Sequence, residues 1–354
     1  MERNNICCSL AETKNIDQFA SVHNIRLVGI SNKLSEIKDL IEKNKCNILF
    51  FERIFLRDAY ELFWLYDCLD FMFCIDSSDV LREEEKPNRL MSKKIWNFAA
   101  INAKDDIECG GWISSYTREK FDIREINEFV ENTKSHLESY LDRSKSILEI
   151  GCASGFTMYA LYSFVKTYVG VDLCNISIEK NRKKIQEMSI KNIQVECMEA
   201  IEIDGLHDNF DIILLNSVVH CFKGYNYLFN VFDKIIKKIN SKGIIYFGDI
   251  MNLVLKDELC ESLIKFASQN DYNTKIDFSN ELFLSKKFFA YLEKKYLEIE
   301  KIEYYERNCN IQNELTQFRF DVVIHINKKL CNAKKAAPNY IGSLVDAEEL
   351  LCQG

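Results

Sequence analysis

Apolar and polar positions follow two rhythms along this chain, and the rhythms exchange places often. Between Asn24 and Ser78, IRLVGIS, CNILFFE and FMFCIDSS are short apolar runs, whereas LSEIKDLIEKN and RDAYELFWLYDCL place apolar residues at helical spacing. The first kind of run suits buried strands and the second suits amphipathic helices. The predicted order is β-α-β-α-β, which favours a small parallel sheet. This alternation stops in the charged stretch Asp79 to Asn88, which holds Pro87 and reads as a boundary. Helical and loop segments follow in LMSKKIWNFAAINAKDD, GGWISSYT and REINEFVENTKSHLESYL.

A second and stronger alternation begins at Ser146. SILEIG, TYVGVDL, IQVECME, FDIILLNSVV and GIIYFGDI read as strands, with helices at SGFTMYALYSFV, ISIEKNRKKIQEM, YNYLFNVFDKIIKKI and Lys256 to Gln269. EIEKIEYYER and FRFDVVIHI then alternate as an antiparallel pair. The pattern predicts an open, doubly wound α/β sheet closed by a hairpin. The expected organisation is a small α/β segment over residues 1–82, a linker and helical lid over 83–145, and a core over 146–330. A loosely packed tail follows over 331–354, with one short helix at VDAEELL.

Composition narrows the class. At 354 residues the chain is long for a single core, and its 47% hydrophobic and 28% charged residues are ordinary for a globular protein. No apolar run reaches the roughly 20 residues a membrane span needs. The opening MERNNICCSLAETKN is too polar for a secretory signal, so a cytoplasmic location is expected. The net charge is −8, and no basic stripe is interleaved with aromatics, which disfavours nucleic acid as the main partner. EKNRKKIQEMSIK reads as a solvated helix face. The 14 cysteines contain no C-x-x-C pair and mostly sit in apolar runs, so they read as buried free thiols in a reducing compartment, and no metal is expected.

Candidate chemistry gathers at LEIGCASGF, Leu148 to Phe156. Two of the 12 glycines, Gly151 and Gly155, stand here between a strand and a helix. Such a turn lets a ligand approach the backbone, and the crevice beyond the carboxyl ends of the strands is where open α/β sheets bind ligands. The spacing is not the G-x-G-x-x-G of dinucleotide sites. The next strand ends at Asp172, about twenty residues on, where an acid accepts hydrogen bonds from ribose hydroxyls. Glu149, this glycine spacing and Asp172 together resemble the first two motifs of class I S-adenosylmethionine-dependent methyltransferases. The middle family glycine is Ala153 here.

The resemblance goes further. GGWISSYT (Gly110 to Thr117), LNSVVHCF (Leu215 to Phe222), YFGDI (Tyr246 to Ile250) and NELTQFRFDVVIH (Asn313 to His325) look like motifs of the methyltransferase domains of nonribosomal peptide synthetases and their stand-alone relatives. The similarity runs from about Trp96 to Asn327. It implies S-adenosylmethionine as cofactor and S-adenosylhomocysteine as product. It also implies methylation of a group on an amino-acid-derived substrate, often the amine of an aminoacyl unit on a carrier protein. Relatives that methylate oxygen or carbon of a free small molecule leave the acceptor atom open, and a non-catalytic subunit of this fold is the rival from another class. The N-terminal segment is read as a dock for a carrier protein or partner enzyme.

The same resemblance distributes roles. Glu149, Gly151, Cys152, Ala153 and Gly155 form the cofactor turn, and Glu149 lies near the cofactor's amino acid end. Asp172 and Leu173 sit at the ribose, and Met198 and Glu199 near the adenine, although Glu199 equally suits a helix cap. Asn216, Ser217 and His220 lie beside the methyl-donating sulfur. His220, one of five histidines, is the general-base candidate on the expectation of a pKa near neutral, with an orienting role as the alternative. Trp112 and Tyr116 belong to the lid, with Tyr116 bonding the cofactor carboxylate. Asp249, Asn313, Glu314 and Arg319 line the acceptor side.

Overall fold

The structure, a computed structural model, describes residues 5–12, 16–82, 88–307, 309–332 and 341–352. Pro87 and Pro338, used above as boundary and tail markers, lie outside them. The strands are β1 (Ile6–Leu10), β2 (Arg26–Ser31), β3 (Ile48–Phe51), β4 (Phe71–Cys74), β5 (Ser146–Ile150), β6 (Thr167–Asp172), β7 (Ile193–Cys197), β8 (Phe210–Asn216), β9 (Ile239–Met251), β10 (Ile299–Glu306), β11 (Arg319–Asn327) and β12 (Ile341–Ser343). The chain divides into two compact units. One takes residues 1–83, 285–291 and 336–354, and the other takes 84–284 and 292–335.

The first unit holds a sheet in the order β12-β4-β3-β1-β2, with every neighbouring pair parallel. The predicted alternation is present, but it starts earlier than expected. Ile6–Leu10 is a strand between β2 and β3, and the helix Ile16–Val22 follows it. The polar residues around ICCSL hid this strand, in which Cys7 and Cys8 serve as small buried hydrophobes. The expected loose tail is corrected as well: Ile341–Ser343 pairs with β4, and Ala347 of the following helix is fully buried in the first core. Pairing with a strand more than 250 residues away carries no local signal in so short a segment.

The second unit holds seven strands in the order β10-β11-β9-β8-β5-β6-β7. β5 to β9 pair in parallel, while β11 runs antiparallel between β9 and β10. This is the predicted doubly wound sheet with its closing hairpin. The central strands read as continuous apolar runs because they are buried on both faces; Leu148, Ile213 and Ile245 are fully buried. The order reverses at β5, so the crevice lies beyond its carboxyl end, between the turns after β5 and β8. The helix Ile123–Leu137 begins with a capping box from Asp122 and Glu125, and it buries Ile126, Phe129, Val130, Thr133 and Leu137. That face brings Phe129 and Thr133 to the crevice.

Candidate active site

The turn after β5 is built on left-handed backbone. Gly151 has φ 83° and Gly155 φ 86°, and a Cβ on Gly151 would stand 2.5 Å from Val218. Ala153 between them also has positive φ, 43°. An L-residue there costs about 1–2 kcal/mol. The turn is tied to the next strand by Asp172: the Ala153 N–H donates to Oδ2 at 2.9 Å and the Cys174 N–H to Oδ1 at 2.7 Å. Each oxygen keeps a lone pair for a ligand. Burial raises the Asp172 carboxyl pKa, against these two hydrogen bonds.

A cavity with two lobes opens over this turn. The larger, about 80 Å³, is lined by Asp172, Leu173, Met198, Ala200, Val218 and Trp96, among others. The smaller, about 40 Å³, is lined by Trp112, Glu149, Cys152, Gly155, Asn216 and neighbours. Gly110, Gly151, Ala153 and Ser217 line both lobes. Glu149 is buried and accepts from the Tyr168 hydroxyl at 3.0 Å. Burial pushes its carboxyl up to about 8, with Asp172 adding to the rise. Asn216 donates through Nδ2 to Thr133 and Thr157, while its buried Oδ1 has no hydrogen-bond partner. Trp112 packs edge-on against Phe129, ring centres 4.6 Å apart.

Three expectations are corrected here. Tyr116 lines neither lobe. Its hydroxyl is engaged with Ser262 Oγ at 2.6 Å, and it borders a separate groove of about 460 Å³ together with Asn313 and Glu314. Glu199 does not line the cavity either; it caps the short helix Ala200–Gly205 and faces Lys93 at 3.8 Å. His220 does not have a near-neutral pKa. Burial, then the positive charges of Arg319 and Lys275, push it down to about 3. So weak a base does not hold a proton taken from an ammonium group. His220 is a neutral imidazole that lines neither lobe, and its buried Nδ1 has no hydrogen-bond partner.

The acceptor-side residues take distinct places. Asp249 is buried and accepts from Ser217 Oγ at 2.7 Å through Oδ2. Arg319 Nε lies 3.9 Å from Asp249 Oδ1. Arg319 Nε and Nη1 and Asp249 Oδ1 have no hydrogen-bond partner although buried. Glu314 accepts from the Ser115 N–H at 2.9 Å, and burial raises its carboxyl pKa. Asn313 caps the helix Glu314–Gln317 and donates to Glu125 at 2.8 Å. Sequence reasoning missed Leu90, Met91, Trp96, Cys109 and Phe222 in the larger lobe. The one available signal was the aromatic-rich helix at KKIWNFAAIN, whose Trp96 is anchored by donating to Leu90 O at 2.6 Å.

Comparison with known proteins agrees with this geometry. Residues 141–303 match a family described as a methyltransferase domain. Over 230 residues the chain is 29% identical to chondramide synthase cmdD of Chondromyces crocatus, a match covering 61% of this chain and 6% of that protein. Over 300 residues it is 24% identical to the beauvericin nonribosomal cyclodepsipeptide synthetase of Beauveria bassiana, covering 77% of this chain and 9% of that protein. The chain thus spans less than a tenth of either relative's length. Among solved structures, the N-methyltransferase NodS from Bradyrhizobium japonicum WM9 in complex with S-adenosyl-L-homocysteine aligns at 12% identity. That alignment covers 66% of this chain and 96% of NodS, with a TM-score of 0.43. With its motif, its strand order and its family match, the segment 141–303 is an S-adenosylmethionine-dependent methyltransferase domain on the sheet of the second unit.

No helix among the described residues is long and apolar enough to cross a membrane.

Proposed function

We propose that this chain transfers a methyl group from S-adenosylmethionine to the amine of an amino-acid-derived substrate in natural-product assembly, the substrate being presented on a carrier protein. The observation that carries this reading is the two-lobed cavity whose lobes meet at Gly151, Ala153 and Ser217. Its donor set fits the cofactor. Asp172, which lines the larger lobe, suits the ribose, and Leu173, Met198 and Val218 beside it suit the adenine. Glu149 and the unpartnered Asn216 Oδ1 suit the ammonium of the methionine end. The similarity to peptide synthetases supports the substrate class.

When bound, the cofactor supplies an electrophilic methyl on a sulfonium. The protein's own part is alignment and exclusion of water. Asp172 and the glycine turn fix one end, and Trp112 over Phe129 walls the other. The amine's lone pair forms the new N–C bond while the S–C pair stays on sulfur, so the amine must arrive without its extra proton. His220, at about 3, does not remove that proton. The unfilled groups of Asp249 and Arg319 suit an acceptor bearing an N–H next to a carbonyl oxygen.

The test is transfer of labelled methyl from S-adenosylmethionine to free amino acids, to their N-acetylcysteamine thioesters and to aminoacyl carrier proteins. Transfer to the nitrogen of thioester or carrier-bound substrates supports the proposal. Transfer only to oxygen or carbon, or cofactor binding with no transfer to any of them, overturns it.

A further inference from the structure

β8 and β9 run in register, Asn216 beside Gly248, and both chains turn left-handed at the next residue. Ser217 has φ 56° and Asp249 φ 57°, and neither is a glycine. The two strand ends crowd together: a Cβ on Gly248 would collide with Asn216 Oδ1. Left-handed L-residues persist where their surroundings over-determine them, and they gather at functional sites. Here the determinants are visible. The Ser217 N–H donates to Gly248 O at 3.0 Å, and Ser217 Oγ donates to Asp249 Oδ2 at 2.7 Å. The Asp249 N–H donates to Asp321 Oδ1 at 2.7 Å.

Asp321 is fully buried on β11 and acts as the hub. Its Oδ1 also receives Arg307 Nε at 3.0 Å and Nη2 at 2.9 Å, and its Oδ2 receives the Tyr246 hydroxyl at 3.0 Å. His136 Nδ1 lies 3.3 Å from Oδ2. The Arg307 guanidinium is itself held over the Phe129 ring, 4.6 Å from its centre. A buried ion pair of this kind is weak evidence of stabilisation, because well-packed apolar residues often do as well. What this pair does specifically is clamp the backbone of Asp249. The clamped residue keeps one carboxylate oxygen, Oδ1, buried and without a hydrogen bond, with Arg307 Nη1 and Arg319 Nε each 3.9 Å away. Asp249 lines neither lobe itself and meets the cavity through its other oxygen, which is bonded to Ser217, a residue lining both lobes.

We propose that Arg307 and Asp321 are positioning residues that lock the left-handed turn at Asp249, so that its Oδ1, which makes no hydrogen bond, receives a donor N–H at the point of methyl transfer beside Ser217. The inference rests on the reading of the cavity as the cofactor site and of Asp249 as an acceptor-side residue, and it adds the pair that aims Asp249. Arg307 and Asp321 act through Asp249 and touch neither cofactor nor acceptor.

The test needs no knowledge of the acceptor. Sinefungin carries an amine where S-adenosylmethionine carries its methyl, and S-adenosylhomocysteine has nothing there. Calorimetry on the full chain compares the two ligands. We expect the wild type to prefer sinefungin by roughly tenfold or more, the value of one charge-assisted hydrogen bond. Asp249→Asn and Asp321→Asn should each erase the preference, read as the ratio of the two affinities in the same variant. The double variant should lose no more than either single one. Arg307→Lys, which keeps the charge but not the fork, should shrink the preference, and it carries the test if Asp321→Asn does not fold. Equal wild-type affinities, a preference that survives both Asp321→Asn and Arg307→Lys, or effects that add in the double variant would overturn the inference. Failure of the wild type to bind S-adenosylhomocysteine at all would instead remove the cofactor reading beneath it.

Discussion

The two units solve the same problem, a parallel sheet wound with helices, and differ at the carboxyl ends of their strands. In the first unit those ends are closed by the protein's own groups. Glu52 after β3 accepts the Glu12 N–H at 2.9 Å, and Asp76 after β4 accepts the Arg53 N–H at 2.7 Å. The Arg53 guanidinium is spent on the carbonyls of Asp79, Val80 and Arg82. Its left-handed residues, Asn24 and Lys45, lie at the other edge, ahead of β2 and β3. In the second unit Gly151, Ala153, Gly155 and Ser217 are left-handed just beyond the carboxyl ends of β5 and β8, and Asp249 is left-handed near the end of β9; Gly111, Arg118 and Ser189 are left-handed in other turns. Strained backbone and unpartnered polar atoms coincide there, at Asn216, His220, Asp249 and Arg319. A doubly wound sheet offers a crevice; the turns at its strand ends decide whether the crevice is kept open for a ligand.

The sharpest way to break this contrast is Asp172→Ala. We expect S-adenosylmethionine affinity measured by calorimetry to fall roughly 100-fold or more, since two hydrogen bonds to a charged group are each worth about 1.5–3 kcal/mol. Retained affinity would remove Asp172 from the ribose.

Glu149→Gln comes next. The buried carboxyl, held up at about 8, is protonated at neutral pH until the cofactor's ammonium arrives and draws it into its charged form. Binding at pH 7 should therefore release a proton, seen as a heat that changes with the ionisation enthalpy of the buffer, and Glu149→Gln should abolish that dependence. The ligand-free protein gives the matching sign. A carboxyl raised from 4.5 to about 8 contributes stability below pH 4.5 that is lost as pH climbs through 8, so Glu149→Gln should melt higher than wild type at pH 8.5 and equally at pH 4.

A smaller effect is expected of Ala153→Gly, which relieves the left-handed strain at φ 43°. Stability should rise by about 0.5–1 kcal/mol after the extra entropy of glycine, readable in a denaturant titration. No gain would mean that the left-handed conformation at Ala153 carries no more strain than the entropy glycine would lose there. The smallest expected effect is at the closed edge of the first sheet, where Glu52→Gln should leave cofactor affinity within about twofold. A larger loss would show that this edge takes part in the methyltransferase site.

Much of this was legible locally. Leu148 to Phe156 announces a strand, a glycine turn and a helix within nine residues, and Asp172 closes the next strand. Such signals survive in sequence because each depends on neighbours a few positions away. The misread residues depend on distant ones. Cys7 and Cys8 looked like part of a polar terminus and lie in a strand between β2 and β3. Tyr116 stood beside the right glycines, yet its hydroxyl turns to Ser262. His220 was judged by its chemistry alone, and its pKa is set by burial and by Arg319 and Lys275. Arg307 gave no sequence signal at all, being one basic residue in a charged stretch until Asp321 and Phe129 surround it.

By itself, then, the sequence determined the two alternations, the cofactor turn and its acid, and the class of chemistry, because hydrophobic periodicity and glycine placement act over a few residues. Only the tertiary structure decided that residues 341–343 complete the first sheet, that Glu149 is held protonated, and that Asp321 and Arg307 clamp Asp249 beside Ser217. Burial, charge and strain are properties of what surrounds a residue, and here the surroundings come from strands far apart in the chain.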